Sequence, residues 1–212
     1  MKKNIDCWKE VLANSPESYN KWFEEEKKYL QKIVTSNAKV LDIGCGDGRS
    51  IFDIISKTKN VVGIDHDEKA ISDAKNNFFR HPSIKFIKED ATNLSFDDEE
   101  FDFVICMGTF ANFAENKFVV LKEMGRVLKK SGKIIISVYS EDAFDERIKV
   151  YKASGVKINE IKNGTVIFEE TLGDNISEQF TKKQLEDIFS QANLQIEDLT
   201  KVNIAYLCTL TK

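Results

Sequence analysis

From Lys39 onward the chain alternates short apolar runs with amphipathic segments, and this alternation constrains its fold more than any other feature. KVLDI (39–43) precedes a helical SIFDIISK (50–57), and NVVGID (60–65) precedes EKAISDAKNNF (68–78). SIKFIKED (83–90) and FDFVICM (101–107) follow, then a helix in NKFVVLKEMGRVLKK (116–130) and the run GKIIISVYS (132–140). Parallel strands covered by helices on both faces are buried on both sides, so they read as near-continuous apolar runs, as several of these do. Strand–helix alternation of this kind predicts an α/β fold, a doubly wound parallel sheet with right-handed crossovers.

The flanks read differently. A short helix is expected near Ile5 to Ala13. Ser15-Pro16 then reads as a helix start, with Ser as N-cap and Pro at the first helical position. The segment after it sets Tyr19, Trp22, Phe23, Tyr29 and Leu30 at near-helical spacing. In GVKINEIKNGTVIFEE (155–170), Asn163-Gly164 between two strand-like runs is a hairpin signal. A short run at ISEQF, a helix capped by Thr181 and two runs, LQIEDLT and NIAYLCTL, complete the chain; the last two should pair antiparallel. At 212 residues, 42% hydrophobic and 31% charged, without an internal repeat, the chain suits one sizeable domain. Its expected parts are a helical cap (1–36), a core (37–150), a hairpin insert (151–180) and a last helix with a C-terminal strand pair (181–212).

The loop KVLDIGCGDGRS places Gly44, Gly46 and Gly48 directly after the first strand. Strand, glycine loop and helix together present open backbone amides at a sheet edge where ligands bind. The dinucleotide fingerprint G-x-G-x-x-G needs a third glycine where Arg49 stands, so the pattern here is G-x-G-x-G. No G-K-[ST] follows, so it is not a phosphate-binding P-loop. Asp65, ending the second strand, can accept from the vicinal hydroxyls of a ribose, whether the ligand is a dinucleotide or another nucleoside. The net charge of -4 argues against a nucleic-acid partner. No signal peptide or membrane span is read, and Cys7, Cys45, Cys106 and Cys208 are isolated, as expected of reduced thiols in a cytoplasmic protein. With two histidines and no ligand spacing, no metal site is expected.

VLDIGCGDG (40–48) resembles the first motif of class I S-adenosylmethionine-dependent methyltransferases, with an acidic residue two places before G-x-G-x-G. Further segments resemble that family in order. They are VVGIDHD (61–67), KEDATNLSF (88–96), FDFVICMGTF (101–110), LKEMGRVLKKSGKIIIS (121–137) and FTKKQLEDIFSQANLQI (180–196). ESYNKWF (17–23) is similar to the Y-D-x-W-F opening of the ubiquinone-biosynthesis-like branch, with Asn20 in place of Asp. The resemblance spans nearly the whole chain. It implies a Rossmann-like sheet of seven strands with an antiparallel last strand, helices on both faces, a helical N-terminal cap and a hairpin insert after strand 5.

The same resemblance implies S-adenosylmethionine as cofactor and S-adenosylhomocysteine as product. Gly44 and Gly46 would remove Cβ atoms where the methionine end lies against the backbone, and Cys45 would contribute its backbone. Asp42 would face the ammonium group; the alternative is that it ties down the loop's own amides. Asp65 would hold the ribose, with helix capping as the alternative, and His66 would lie beside the adenine. Asp90 and Ala91 would read the adenine, the carboxylate as a buried acceptor matched to the exocyclic amine. Met107 and Gly108 would contact the methionine portion, and Tyr19 would close over that end or else pack the helix.

Methyl transfer from a sulfonium is an in-line displacement at an activated carbon, so positioning and exclusion of water supply most of the catalysis. No catalytic residue is therefore named. The [DNS]-P-P-[YFW] motif of amino-methylating nucleic-acid enzymes is absent, CMGTFANF standing in its place, and no Pro-Cys nucleophile occurs. A small-molecule acceptor is the expectation, walled by 1–36 and 151–180 with Phe110, Phe113, Tyr139 and Phe168 as lining. A nicotinamide-dependent oxidoreductase and a non-catalytic adenosylmethionine-binding protein are the alternatives. Oligomeric state is not legible in the residues.

Overall fold

The computed structural model describes residues 16–169 and 176–212. The helix expected near Ile5 to Ala13, the Ser15 cap and Cys7 lie outside them. Helix α1 spans Glu17–Ile33 with Pro16 at the N-cap position, so it starts one residue later than expected. Its inward residues, Tyr19, Trp22, Glu26 and Leu30, recur every three or four positions, the spacing of one helical face.

The sheet strands are β1 (Val40–Ile43), β2 (Val61–Asp65), β3 (Lys85–Lys88), β4 (Phe101–Met107) and β5 (Leu128–Tyr139). Between them run α2 (Arg49–Ile54), α3 (Glu68–Asn77) and α4 (Lys117–Val127). α2 is shorter than the 50–57 expected. α4 ends at Val127 instead of continuing to 130, because Leu128 turns extended and pairs with Phe101. After β5 come α5 (Phe144–Ala153), which the sequence reading passed over, then β6 (Ile158–Lys162), β7 (Thr165–Phe168) and β8 (Ile176–Ser177). The chain closes with α6 (Lys182–Gln191), β9 (Gln195–Val202) and β10 (Ala205–Thr211).

Seven strands form one sheet in the order β3-β2-β1-β4-β5-β10-β9. β1 to β5 pair in parallel, whereas β10 runs antiparallel to both β5 and β9. This is the doubly wound sheet with an inverted last strand. Alternate residues supply the two buried faces: Leu41, Ile43, Val104, Ile134 and Ile136 belong to one core, and Val40, Phe103, Ile105 and Ile135 to the other. That two-faced burial is the physical reason the strands carry so few polar residues.

The predicted hairpin is β6–β7. Asn163 and Gly164 both adopt positive φ, 50° and 80°, as a two-residue turn matched to strand twist requires. β8 joins it to make a separate three-stranded sheet. Buried Arg147 of α5 clamps that sheet, donating to Ser177 O and Oγ, Gly164 O and Gln179 Oε1 at 2.6–2.9 Å. The order of strand addition reverses between β1 and β4, with β2 and β3 to one side and β4 and β5 to the other. The crevice outside the carboxyl ends of these strands is where such sheets bind ligands. No described helix is long and apolar enough to cross a membrane.

The N-terminus of α6 carries a capping box: the Gln184 N–H donates to Thr181 Oγ1, and the Thr181 N–H donates to Gln184 Oε1. Thr181→Ala removes one acceptor from an orphan helix amide and should cost about 1 kcal/mol in urea denaturation. An unchanged midpoint would show that α6 is held by packing alone.

Candidate functional site

The loop after β1 sits at that switch point, and its three glycines do different jobs. The N–H groups of Gly44 and Cys45 both donate to Ile64 O at 2.9 Å, folding the loop back over β2. Gly44 has φ +70°, and a Cβ there would lie 2.6 Å from Thr109 Oγ1; the Thr109 hydroxyl donates to Gly44 O at 3.0 Å. Gly48, φ +94°, presses on the Phe78 ring in the same way. Gly46, φ +55°, faces open space, with nothing within 4 Å of where a Cβ would be. The expectation that Gly44 clears room for a ligand is therefore corrected. Its missing side chain makes room for Thr109, and Gly46 is the glycine that leaves a cradle.

Asp42 lies inside β1 and is buried. Its Oδ2 accepts from the Ser50 hydroxyl at 2.5 Å, while Oδ1 has no partner among the described residues. Burial pushes its pKa up to about 7; the Ser50 hydrogen bond and the Arg49 charge oppose the rise, and Asp65 and Glu26 add to it. Asp42 thus does not tie down the loop amides. Asp65 does that, its Oδ2 accepting from the Gly46 N–H and its Oδ1 from the Asp67 N–H, both at 2.9 Å. The helix cap proper is Asp67, which accepts from the Lys69 N–H. Each Asp65 oxygen keeps a second lone pair for a ligand hydroxyl. Half-exposed His66 lies 3.8 Å from Asp65.

Asp90 follows β3 at the same edge, but it is exposed, not buried as its expected adenine-reading role supposed. Its Oδ1 accepts from the N–H and hydroxyl of Thr92 at 2.8 Å each, which fixes the carboxylate beside half-buried Ala91. Met107 ends β4 buried, and Gly108, φ +85°, donates its N–H to Ser137 O at 2.9 Å. Cys45 is buried, and burial raises its thiol pKa well above normal, which leaves it an unreactive neutral group.

The first turns of α1 cover the ends of β4 and β5. The Trp22 Nε1–H donates to Ser137 Oγ at 2.7 Å, and the Tyr19 hydroxyl donates to the Tyr139 hydroxyl at 3.2 Å. Tyr19, Trp22, Phe23 and Tyr139 form one aromatic cluster with ring centroids 4.9–6.1 Å apart. Tyr19 is fully buried in it. Of the other expected lining residues, Phe110 is buried in the main core, and Phe113 is half-buried and packs edge-on against it. Phe168 packs on Tyr151 within the small sheet's own core. The strand-end carboxylates, the glycine loop, Met107, Gly108 and Tyr19 are thus gathered along one edge of the sheet.

Four residues here escaped the sequence reading: Ser50, Thr109, Ser137 and Glu26. Glu26 sits in the run EEEKK, whose composition reads as a solvated face. Only its position seven residues after Tyr19 and four after Trp22 signals that it points inward.

The pattern of known proteins agrees with this geometry. A family model described as a methyltransferase domain matches residues 34–193. An uncharacterised protein of Methanocaldococcus jannaschii is 33% identical over 141 residues, 63% of each chain. A demethylmenaquinone methyltransferase of Staphylococcus saprophyticus is 31% identical over 121 residues, 53% of this chain and 52% of that one. The matched regions therefore span between half and two thirds of these relatives' lengths. Among solved structures, a protein of Pyrococcus horikoshii superposes with a TM-score of 0.74 at 27% identity, covering 92% of both chains.

The raised pKa of Asp42 makes stability pH-dependent. An unfolded Asp loses its proton near pH 3.9, while the native one keeps it up to about 7. Between those values the unfolded chain binds fewer protons, so this group's contribution is full at low pH and falls as pH rises, by up to about 1.4 kcal/mol per pH unit. Asp42→Asn cannot titrate. From pH 5 to pH 8 it should gain on the unliganded wild type by about 1–3 kcal/mol in urea denaturation. A constant difference between the two proteins would show that Asp42 titrates normally.

Proposed function

Since the chain belongs to the methyltransferase-domain family, we propose that it transfers a methyl group from S-adenosylmethionine to a small-molecule acceptor. The observation that carries this reading is the unpartnered, buried Oδ1 of Asp42 beside the glycine cradle. A buried carboxylate oxygen without a donor is costly and calls for a cation or N–H group. An ammonium group meets that need, whereas the pyrophosphate of a dinucleotide would meet repulsion. Arg49 points the same way: where the dinucleotide fingerprint needs a glycine, it extends a guanidinium to Glu26 at 2.7 Å.

In this reading Asp42 faces the ammonium, the backbone of Gly46 and Cys45 lies under the amino-acid end, and Met107 and Gly108 flank it. Asp65, held by two backbone N–H groups, accepts from the ribose hydroxyls. Asp90 and Ala91 take the adenine, with His66 at its side. When bound, the sulfonium supplies an activated methyl carbon open to in-line displacement. The chain's own task is to orient the acceptor and keep water out, and the Tyr19, Trp22, Phe23 and Tyr139 cluster on the methionine side does both. Burial raises the Tyr19 and Tyr139 hydroxyls well above their ordinary range, so they act as neutral donors and walls, not as bases. Cap helix α1 and the small sheet wall the acceptor side, and the aromatic character of that cap suits a compact, largely apolar acceptor.

Calorimetry with S-adenosylhomocysteine tests the cofactor half. The wild type should bind, and Asp65→Ala and Asp90→Ala should each weaken binding by roughly 10- to 100-fold, the loss of hydrogen bonds to a charged group. Incubation with methyl-labelled S-adenosylmethionine and a fractionated metabolite extract should label a low-molecular-weight compound. Absence of any affinity in the wild type would overturn the reading. Binding without transfer to any fraction would leave a cofactor-binding protein in place of an enzyme.

A further inference from the structure

Large apolar side chains stand in water together at one place among the described residues, the β3 end of the main sheet. Phe79, just past α3, is 72% exposed, more than any other large apolar side chain described. Phe52 of α2 and Ile87 of β3 are exposed as well, and the Phe52 ring stacks 4.1 Å from that of Phe78. Between the end of α3 and β3 lies a groove of about 440 Å³, its apolar lining made of Phe78, Phe79, Pro82, Ile84, Phe86 and Ile87. Single exposed apolar side chains are ordinary, but a contiguous set beside a groove marks an interaction surface.

The strand that borders the groove is open. β3 stands at the end of the sheet order, paired only with β2. The Glu89 N–H donates to Asp65 O at 3.0 Å. By the alternation of a parallel ladder, Lys85, Ile87 and Glu89 bond β2, while Phe86 and Lys88 turn their N–H and C=O groups outward. No described residue meets those outward groups. They offer the hydrogen bonds that an added strand needs.

Charge decides which strand fits. The charged lining of the groove is Lys75 and Lys85, with His81 beside them and no acid. Arg80 lies over the Phe79 ring, 5.1 Å from its centre. Lys75, Arg80 and Lys85 make no ion pair among the described residues; Lys88 alone is matched, by Glu68 at 3.4 Å. This basic patch sits on a chain whose net charge is -4. Lysines on an edge strand guard it against unwanted pairing, and two copies joined here would set these unpaired cations against the same cations. A guard, however, has no use for exposed Phe79 and Phe52 beside it.

We propose that the β3 edge is a docking site for an acidic, extended segment of a partner protein. The segment adds as a strand along Phe86 and Lys88, its apolar side chains entering the groove against Phe79. Its carboxylates meet Lys75, Arg80 and Lys85. The inference goes beyond methyl transfer and does not rest on it.

The test uses the full chain and fluorescence anisotropy with short labelled peptides. The first alternates valine with glutamate, and the second alternates valine with lysine. The third is the glutamate peptide with its backbone nitrogens methylated. The glutamate peptide should bind at least about 10-fold more tightly than either of the others, which lack the charge match or the strand hydrogen bonds. Phe79→Ser should weaken it by roughly 10-fold through lost apolar burial. Lys85→Glu should weaken it by roughly 5- to 10-fold and tighten the lysine peptide. Both side chains are exposed, and unchanged thermal midpoints check that the variants keep the fold. Failure of the glutamate peptide to bind, equal binding of all three peptides, or binding that neither substitution changes overturns the inference. Self-association in sedimentation equilibrium that Phe79→Ser abolishes would assign the face to a second copy. Co-sedimentation with phosphatidylglycerol vesicles that the glutamate peptide cannot displace would assign it to a lipid surface. Either result also overturns the inference.

Discussion

The site depends on one carboxylate that the fold keeps from water. Asp42 occupies the third position of a four-residue strand whose every side chain is buried, in a sheet covered on both faces. An apolar residue would serve the core better there, so the position has an electrostatic cost that the surroundings must offset. They do so only in part. Ser50 and Arg49, the first residues after the loop, contribute a hydroxyl and a charge. For both to reach back to β1, the chain must reverse within the few residues between Ile43 and Arg49. Three positive-φ glycines make that reversal possible. The glycine pattern thus follows from the buried acid as much as from any ligand.

The same reversal sets the remaining geometry. Folding the loop back on β2 brings the Gly46 N–H to Asp65, so the second carboxylate is oriented by the backbone of the first loop. Thr109, on the segment after β4, fills the space under Gly44 and locks the third strand end into the same unit. Strand ends that are distant in sequence are therefore held in mutual register by hydrogen bonds and close packing. A ligand then meets a preformed edge instead of loops that must be ordered on binding.

Much of this was legible in the residues, and the reason is local. Apolar runs buried on both faces, the Asn163-Gly164 turn, the Asp67 and Thr181 caps and the acids at strand ends each follow from nearby chain chemistry. What escaped is what depends on distant contacts. The end of α4 and the early start of β5 are decided by the pairing of Leu128 with Phe101. The job of Gly44 is decided by Thr109, and the burial of Glu26 by Arg49. Helix α5 escaped because its inward face is short and mixed, Val150 and Tyr151 beside the charged Arg147, whose partners come mostly from the small sheet. Asp90 was expected to be buried because the resemblance describes a site with its ligand, and the chain alone leaves that carboxylate exposed.

The two halves of the site are built by different physics, which bears on how each can vary. The cofactor half is made of strand ends and backbone amides, so its geometry is inherited from the sheet. The acceptor half, as proposed, is made of side chains on α1, β5 and the small sheet. There Arg147, buried without an acidic partner among the described residues, lies 4.8 Å from the Tyr139 ring while its N–H groups hold Gly164, Ser177 and Gln179. Moving the small sheet away from β5 would strip a buried guanidinium of several hydrogen bonds, each worth about 1–3 kcal/mol when left unmade. The small sheet, α5 and the end of β5 therefore behave as one rigid wall. In the proposed reading, acceptor choice falls to the side chains presented on that wall and on the cap, away from the strand-end acids assigned to the cofactor.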